Sequence, residues 1–196
     1  MIGAKHGEVQ MTSYIPQRPG TWGEWLTFVW GACGVLAVLS QAVWKLAPLT
    51  WAAFVGGQML PYHWLIVVLW VCANAYMEGY RGFQLSYSPM VAERLFSLRH
   101  DSPWHHRVLA PFYGMGMFAA PKRRMIVAWT LVVVISLLIV VIRRLPQPWR
   151  GIVDAGVVVG LMWGALSFVV FLVRGALGHP IPKRRERKRR TSSYVS

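Results

Sequence analysis

The chain has 196 residues, 55% of them hydrophobic and only 14% charged, and carries a formal net charge of +14. That balance is too apolar for an ordinary soluble domain, and the length accommodates several membrane spans. The charge is also unevenly distributed, which gives the chain an orientation rather than a general basic surface.

Residues 1–20, with Pro16, Pro19 and Gly20, read as a polar cytoplasmic arm without the apolar core of a cleaved signal peptide. A membrane span needs about 20 mostly apolar residues. Four segments meet that requirement, at about 22–44, 61–80, 125–142 and 152–173. Together with the cytoplasmic loop 81–124 they define a membrane domain over residues 21–178, and 179–196 form a basic cytoplasmic tail. The expected fold is therefore an all-α membrane protein with four transmembrane helices and amphipathic interfacial helices in the loop.

In this arrangement both termini and the long loop share one side, which holds seventeen of the cations; Lys45, Arg143, Arg144 and Arg150 lie on the other. The positive-inside rule then places both termini in the cytoplasm of a bacterial inner membrane. Thr21 and Glu24 have the spacing of a capping box at the start of the first span. Gly31 and Gly34 thin the middle of that span for close packing. Cys33 and Cys72 fall inside spans and read as small packing residues rather than a disulfide.

The piece between Pro48 and Pro61 is apolar but too short to cross, so it is expected as an outer turn or half-helix. His63 follows it near the outer surface as a hydrogen-bonding group. The second span carries Asn74, Glu78 and Arg81, whose spacing puts all three on one face of an α-helix. They form the candidate polar site. Counting from the end of the span at Tyr80, Glu78 and Arg81 are expected to pair at the inner boundary, level with Glu24 and Arg174.

In the loop, Ser88-Pro89 and Ser102-Pro103 each read as a helix start. Val91, Leu95 and Leu98 give the first of these helices an apolar face suited to lying in the membrane interface. Residues 108–120 are again apolar, short and broken by Pro and Gly, and read as resting on or dipping into the inner leaflet. His100, Asp101, His105 and His106 are weak candidates for metal ligands, because Pro103 separates the two pairs and adjacent histidines point about 100° apart on a helix. No metal site and no cofactor is expected.

The last span begins with Asp154 one turn after Arg150, a helix-starting ion pair. Gly156, Gly160 and Gly164 then recur at every fourth residue, a packing stripe whose partner lies either in the same chain or in another subunit. Lys183, Arg184, Arg185, Arg187, Lys188, Arg189 and Arg190 are suited to anionic lipid headgroups, at about 1 kcal/mol per cation near the surface. Nucleic acid is not an expected partner.

The chain has no phosphate-binding glycine loop, nucleophile elbow or HExxH motif. Packing and anchoring features outnumber catalytic ones. The leading expectation is accordingly a multi-pass protein with a structural or accessory role, associating with another membrane protein or with itself through its glycine stripe and inner-face loop. Two alternatives stand beside it: an oligomeric small-solute transporter or channel using Asn74, Glu78 and Arg81, and a membrane-interface enzyme using the His100, His105 and His106 region.

Overall fold

The computed structural model describes residues 11–57 and 59–184. They are mostly helical, in the order β1 (Met11–Tyr14), α1 (Trp22–Val55), α2 (Pro61–Asn74), a π-helix (Ala75–Tyr87), α3 (Ser88–Phe96), α4 (Trp104–Val108), α5 (Ala110–Gly114), α6 (Lys122–Ile142), α7 (Trp149–Ala176) and β2 (Ile181–Arg184). Three of these, α1, α6 and α7, are each long and apolar enough to cross a membrane. The two short strands pair antiparallel, with Met11 opposite Arg184 and Tyr14 opposite Ile181.

Two expected boundaries move. The first helix does not stop near residue 44 but continues through Pro48 to Val55, so half of the expected outer turn is helix. A mid-helix proline costs about 3 kcal/mol in isolation, and the neighbouring helix compensates. Ala53 is buried where α7 begins, its Cβ tight against the bare Gly151. Gly57, at φ +70°, then reverses the chain. His63 caps the next helix: its Nδ1 accepts the Leu60 N–H at 3.0 Å, and its buried ring meets Trp149 edge-on at 5.2 Å.

The second boundary matters more. Helical backbone runs without a break from Pro61 through α2, the π-helix and α3 to Phe96, rather than ending near Tyr80. Ser88 is therefore not the cap of a separate interfacial helix. Its buried hydroxyl contacts the Ser167 hydroxyl on α7 at 3.0 Å. The face bearing Val91, Leu95 and Leu98 is covered by protein, in one core with Phe28, Ala32 and Val35 of α1, Ala110 of α5, and Phe168, Phe171 and Leu172 of α7. An amphipathic face beside a membrane has two available apolar solvents, lipid and the bundle, and here the bundle takes it.

Heights along the bundle follow from these contacts. At one end Gly151 meets Ala53 and Trp149 meets His63. At the other, Phe96 packs against Phe28 with the rings tilted at 32° and 4.5 Å apart, and fills the space beside Gly175. The helix from Pro61 to Phe96 thus runs alongside α7 in the same direction, and α1 runs opposite to both.

The broken apolar stretch after residue 108 also folds onto protein. Ala110 packs at Gly31 and Pro111 at Gly34, about 14–18 Å along α1 from Trp22. Arg94 fixes this loop: its buried guanidinium donates to the carbonyls of Tyr113 (2.7 Å), Phe118 (3.1 Å) and Ala119 (3.2 Å) and lies 4.2 Å from the Tyr113 ring centroid. At the start of α1, the Thr21 hydroxyl accepts the Glu24 N–H at 3.3 Å, as the capping box requires. The Glu24 carboxylate then accepts from the Gly20 N–H at 2.7 Å and, across the chain, from the His100 N–H at 3.1 Å. Arg99 approaches the same carboxylate at 3.6 Å. A residue expected to do one local job also ties α1 to the loop after α3.

In contrast, α6 buries none of its residues. It is apolar on every side and has almost no small residues at which another backbone approaches closely, which suits a helix surrounded by lipid. Any side chain at Gly34 would collide with Pro111, whose Cγ lies 2.3 Å from the position of a Cβ, whereas at Gly23 the nearest atom is an ordinary 3.5 Å away. Gly34→Leu should therefore destabilise the protein by about 1–3 kcal/mol or more, and Gly23→Ala should be close to neutral; thermal unfolding in mild detergent checks the contrast.

Candidate functional site

The candidate site occupies the middle of the long second helix, where the local sequence is least suited to an α-helix. Gly79 and Gly82 lower helix propensity. Pro89 supplies no N–H, and its ring presses on the carbonyl four residues back in a regular α-helix. The backbone responds by widening. Hydrogen bonds reach the fifth residue instead of the fourth, as where the Ser88 N–H donates to the Phe83 carbonyl. Such π turns are rare, mostly single, and frequent at functional sites; this one runs for 13 residues.

The glycine stripe of α7 finds its partner here, within the same chain. Gly156 faces Trp70 and Asn74, Gly160 faces Glu78, and Gly164 faces the Phe83 ring. Gly79 reciprocates by accepting Trp163. Polar bonds follow the seam: Trp70 Nε1 donates to the Val153 carbonyl at 3.3 Å, and Trp163 Nε1 donates to Gln84 Oε1 at 2.8 Å. Asn74 is buried, and its amide donates to the Trp70 carbonyl one turn back at 2.9 Å. All three glycines are thus occupied in cis, by the second helix of the same chain.

This register corrects the expected depth of Glu78. It sits opposite Gly160, about 21 Å along α7 from Arg174 and about 9 Å from Asp154. It lies beside the charge-free stretch of α7 and well inside its own helix, which ends at Phe96 rather than near Tyr80. The expected pairing also fails. Arg99 pairs with Glu24 and Arg150 with Asp154 (3.8 Å, the pair expected at the start of α7), whereas among the described residues no ion pair joins Arg81 to Glu78. Wider turns explain this, since residues three apart no longer stack on one face when each turn holds more than four. Glu78 rests one side on Gly160, and both it and Arg81 are exposed.

The histidines form no comparable centre. The His100 backbone is engaged by Glu24, while the His105 and His106 rings meet edge to face at 4.5 Å. His106 packs against Tyr113 and Phe118, and desolvation there, with the nearby charges of His105 and Arg94, holds its imidazole below the usual histidine value. Among the described residues no three His, Cys, Asp or Glu side chains come together as metal ligands. Both cysteines are free and lie on the outer surface of the bundle. Of the basic tail, Lys183 and Arg184 fall in β2, and Arg185, Arg187, Lys188, Arg189 and Arg190 lie outside the described residues.

The seam predicts an order of effects. Alanine at Gly156 or Gly164 meets an aromatic ring within 2.5 Å, whereas at Gly160 the nearest atom is a carboxylate oxygen at 3.0 Å that can swing away. Gly156→Ala and Gly164→Ala should each cost about 1–3 kcal/mol of stability and Gly160→Ala less. Thermal unfolding at two protein concentrations tests this, since a cost that disappears on dilution would put the stripe between subunits instead. Set against known proteins, the chain matches no family, no characterised protein and no solved structure.

Proposed function

We propose that the chain is a four-crossing protein of a bacterial inner membrane, with both termini in the cytoplasm, that serves as a structural or accessory component by binding another membrane protein chain. The fourth crossing in this reading is the helix from Pro61 to Phe96, whose exposed residues include Leu65, Val68, Leu69 and Trp70. Moving Arg81 from the loop into the span leaves the charge bias unchanged in direction, since the inner loop and tail keep most of the cations. The basic tail attracts anionic headgroups and holds the orientation. Nothing in this reading calls for nucleic acid or a cofactor.

One observation carries it. Glu78, beside the apolar run of α7, and Arg81 are both exposed, and among the described residues neither has an ion-pair partner. Charged groups at that depth tend to face protein or a water-filled cavity rather than lipid, so this flank is built to be covered. In mild detergent the wild-type protein should run as a complex on native gels, and Arg81→Leu should reduce that complex by at least about tenfold. Wild-type protein running alone would refute the reading.

The same placement favours a second reading, a small-solute or ion transporter in which Glu78 is the coupling acid. Asn74 and Glu78 follow one another along the seam with α7, facing Gly156 and Gly160 one turn apart. Glu78→Gln should then reduce flux in reconstituted vesicles by at least about tenfold, and unchanged flux would remove the site from consideration.

A further inference from the structure

We propose that the partner covering the exposed flank is a second copy of this chain, docked about a two-fold axis along the membrane normal, with Glu78 of each copy paired to Arg81 of the other. The inference rests on the association reading above and identifies its partner. Two unlike charges sit three residues apart on one helix, both exposed and, among the described residues, without an ion-pair partner. A two-fold contact is self-complementary: whatever residue i meets, residue j of the other copy meets in return. Two copies inserted in the same direction bring their second helices together in parallel, so equivalent residues lie at equal height. Glu78 and Arg81 differ in height by about 4.5 Å or less, within the reach of an arginine side chain. One rotation therefore satisfies two acids and two cations, which a lipid-facing flank leaves stranded.

Met77, next to Glu78, is 65% exposed and offers a flexible apolar side chain for the same contact. The other candidate surfaces lack this complementarity: α6 is apolar on every side, and the glycine stripe is already filled. The π-helix is what makes the pairing intermolecular, because it turns Glu78 and Arg81 away from each other.

Reciprocal charge exchange tests the proposal. In lipid nanodiscs the wild type should be dimeric by native mass spectrometry. Glu78→Arg and Arg81→Glu should each weaken the dimer by on the order of a hundredfold, and the double exchange should restore it. A chain with Cys33→Ser, Cys72→Ser and Met77→Cys, which leaves both charges in place, should cross-link to itself under mild oxidation. The proposal falls if this chain stays uncross-linked, or if the double exchange remains as monomeric as the single exchanges while unfolding at the wild-type temperature. A monomeric wild type that brings down a different membrane protein, and loses it on Arg81→Leu, overturns the two-fold pairing and leaves the association reading intact. A monomer that brings down nothing overturns both.

Discussion

The closeness of α7 to the second helix is the constraint on which the rest depends. Three glycines at four-residue spacing remove the side chains that hold helix axes apart, and Trp70, Glu78 and Phe83 occupy the vacated space. This fixes the register of the second helix against α7, and with it the depth of each polar group it carries. The glycines and proline of residues 79–89 widen the helix instead of ending it, and packing against α7 holds the polar stretch in mid-bundle.

Much of this was legible in the sequence. Apolar length identified α1, α6 and α7, and spacing identified the cap at Thr21 and Glu24, the pair of Arg150 with Asp154, and the packing role of the glycines. These features depend on residues within a turn or two of one another. Partners distant in sequence were less legible. Hydropathy falls after Tyr80, which looks like a helix leaving the membrane, but Val91, Leu95 and Phe96 are buried against Phe28 and Phe168. The spacing of Asn74, Glu78 and Arg81 assumed regular α-turns, and the wider turns separate Arg81 from Glu78. One available signal was the pair Gly79 and Gly82 followed by Pro89, which together argue against regular geometry.

Arg94, in α3, illustrates the same dependence on distant partners. In sequence it is one more cation in a basic loop. In the fold it serves three carbonyls of a segment about 20 residues downstream, including Ala119, whose φ of 49° is uncommon outside glycine. The positive charge counted toward orientation is also a hydrogen-bond hub, and its burial is tolerable because its donors are met.

The small β-ribbon carries a topological consequence. Residues 11–14 and 181–184 pair directly, so they lie on the same side of any membrane the chain crosses. A path that begins and ends on one side crosses an even number of times. The three helices that qualify by length and hydropathy make an odd number, so parity requires a further crossing or the withdrawal of one. The helix from Pro61 to Phe96 runs alongside α7 from end to end and is the segment able to supply it. Four short hydrogen-bonded residues at each end of the chain thus support, by counting alone, the membrane path proposed for the polar helix at its centre.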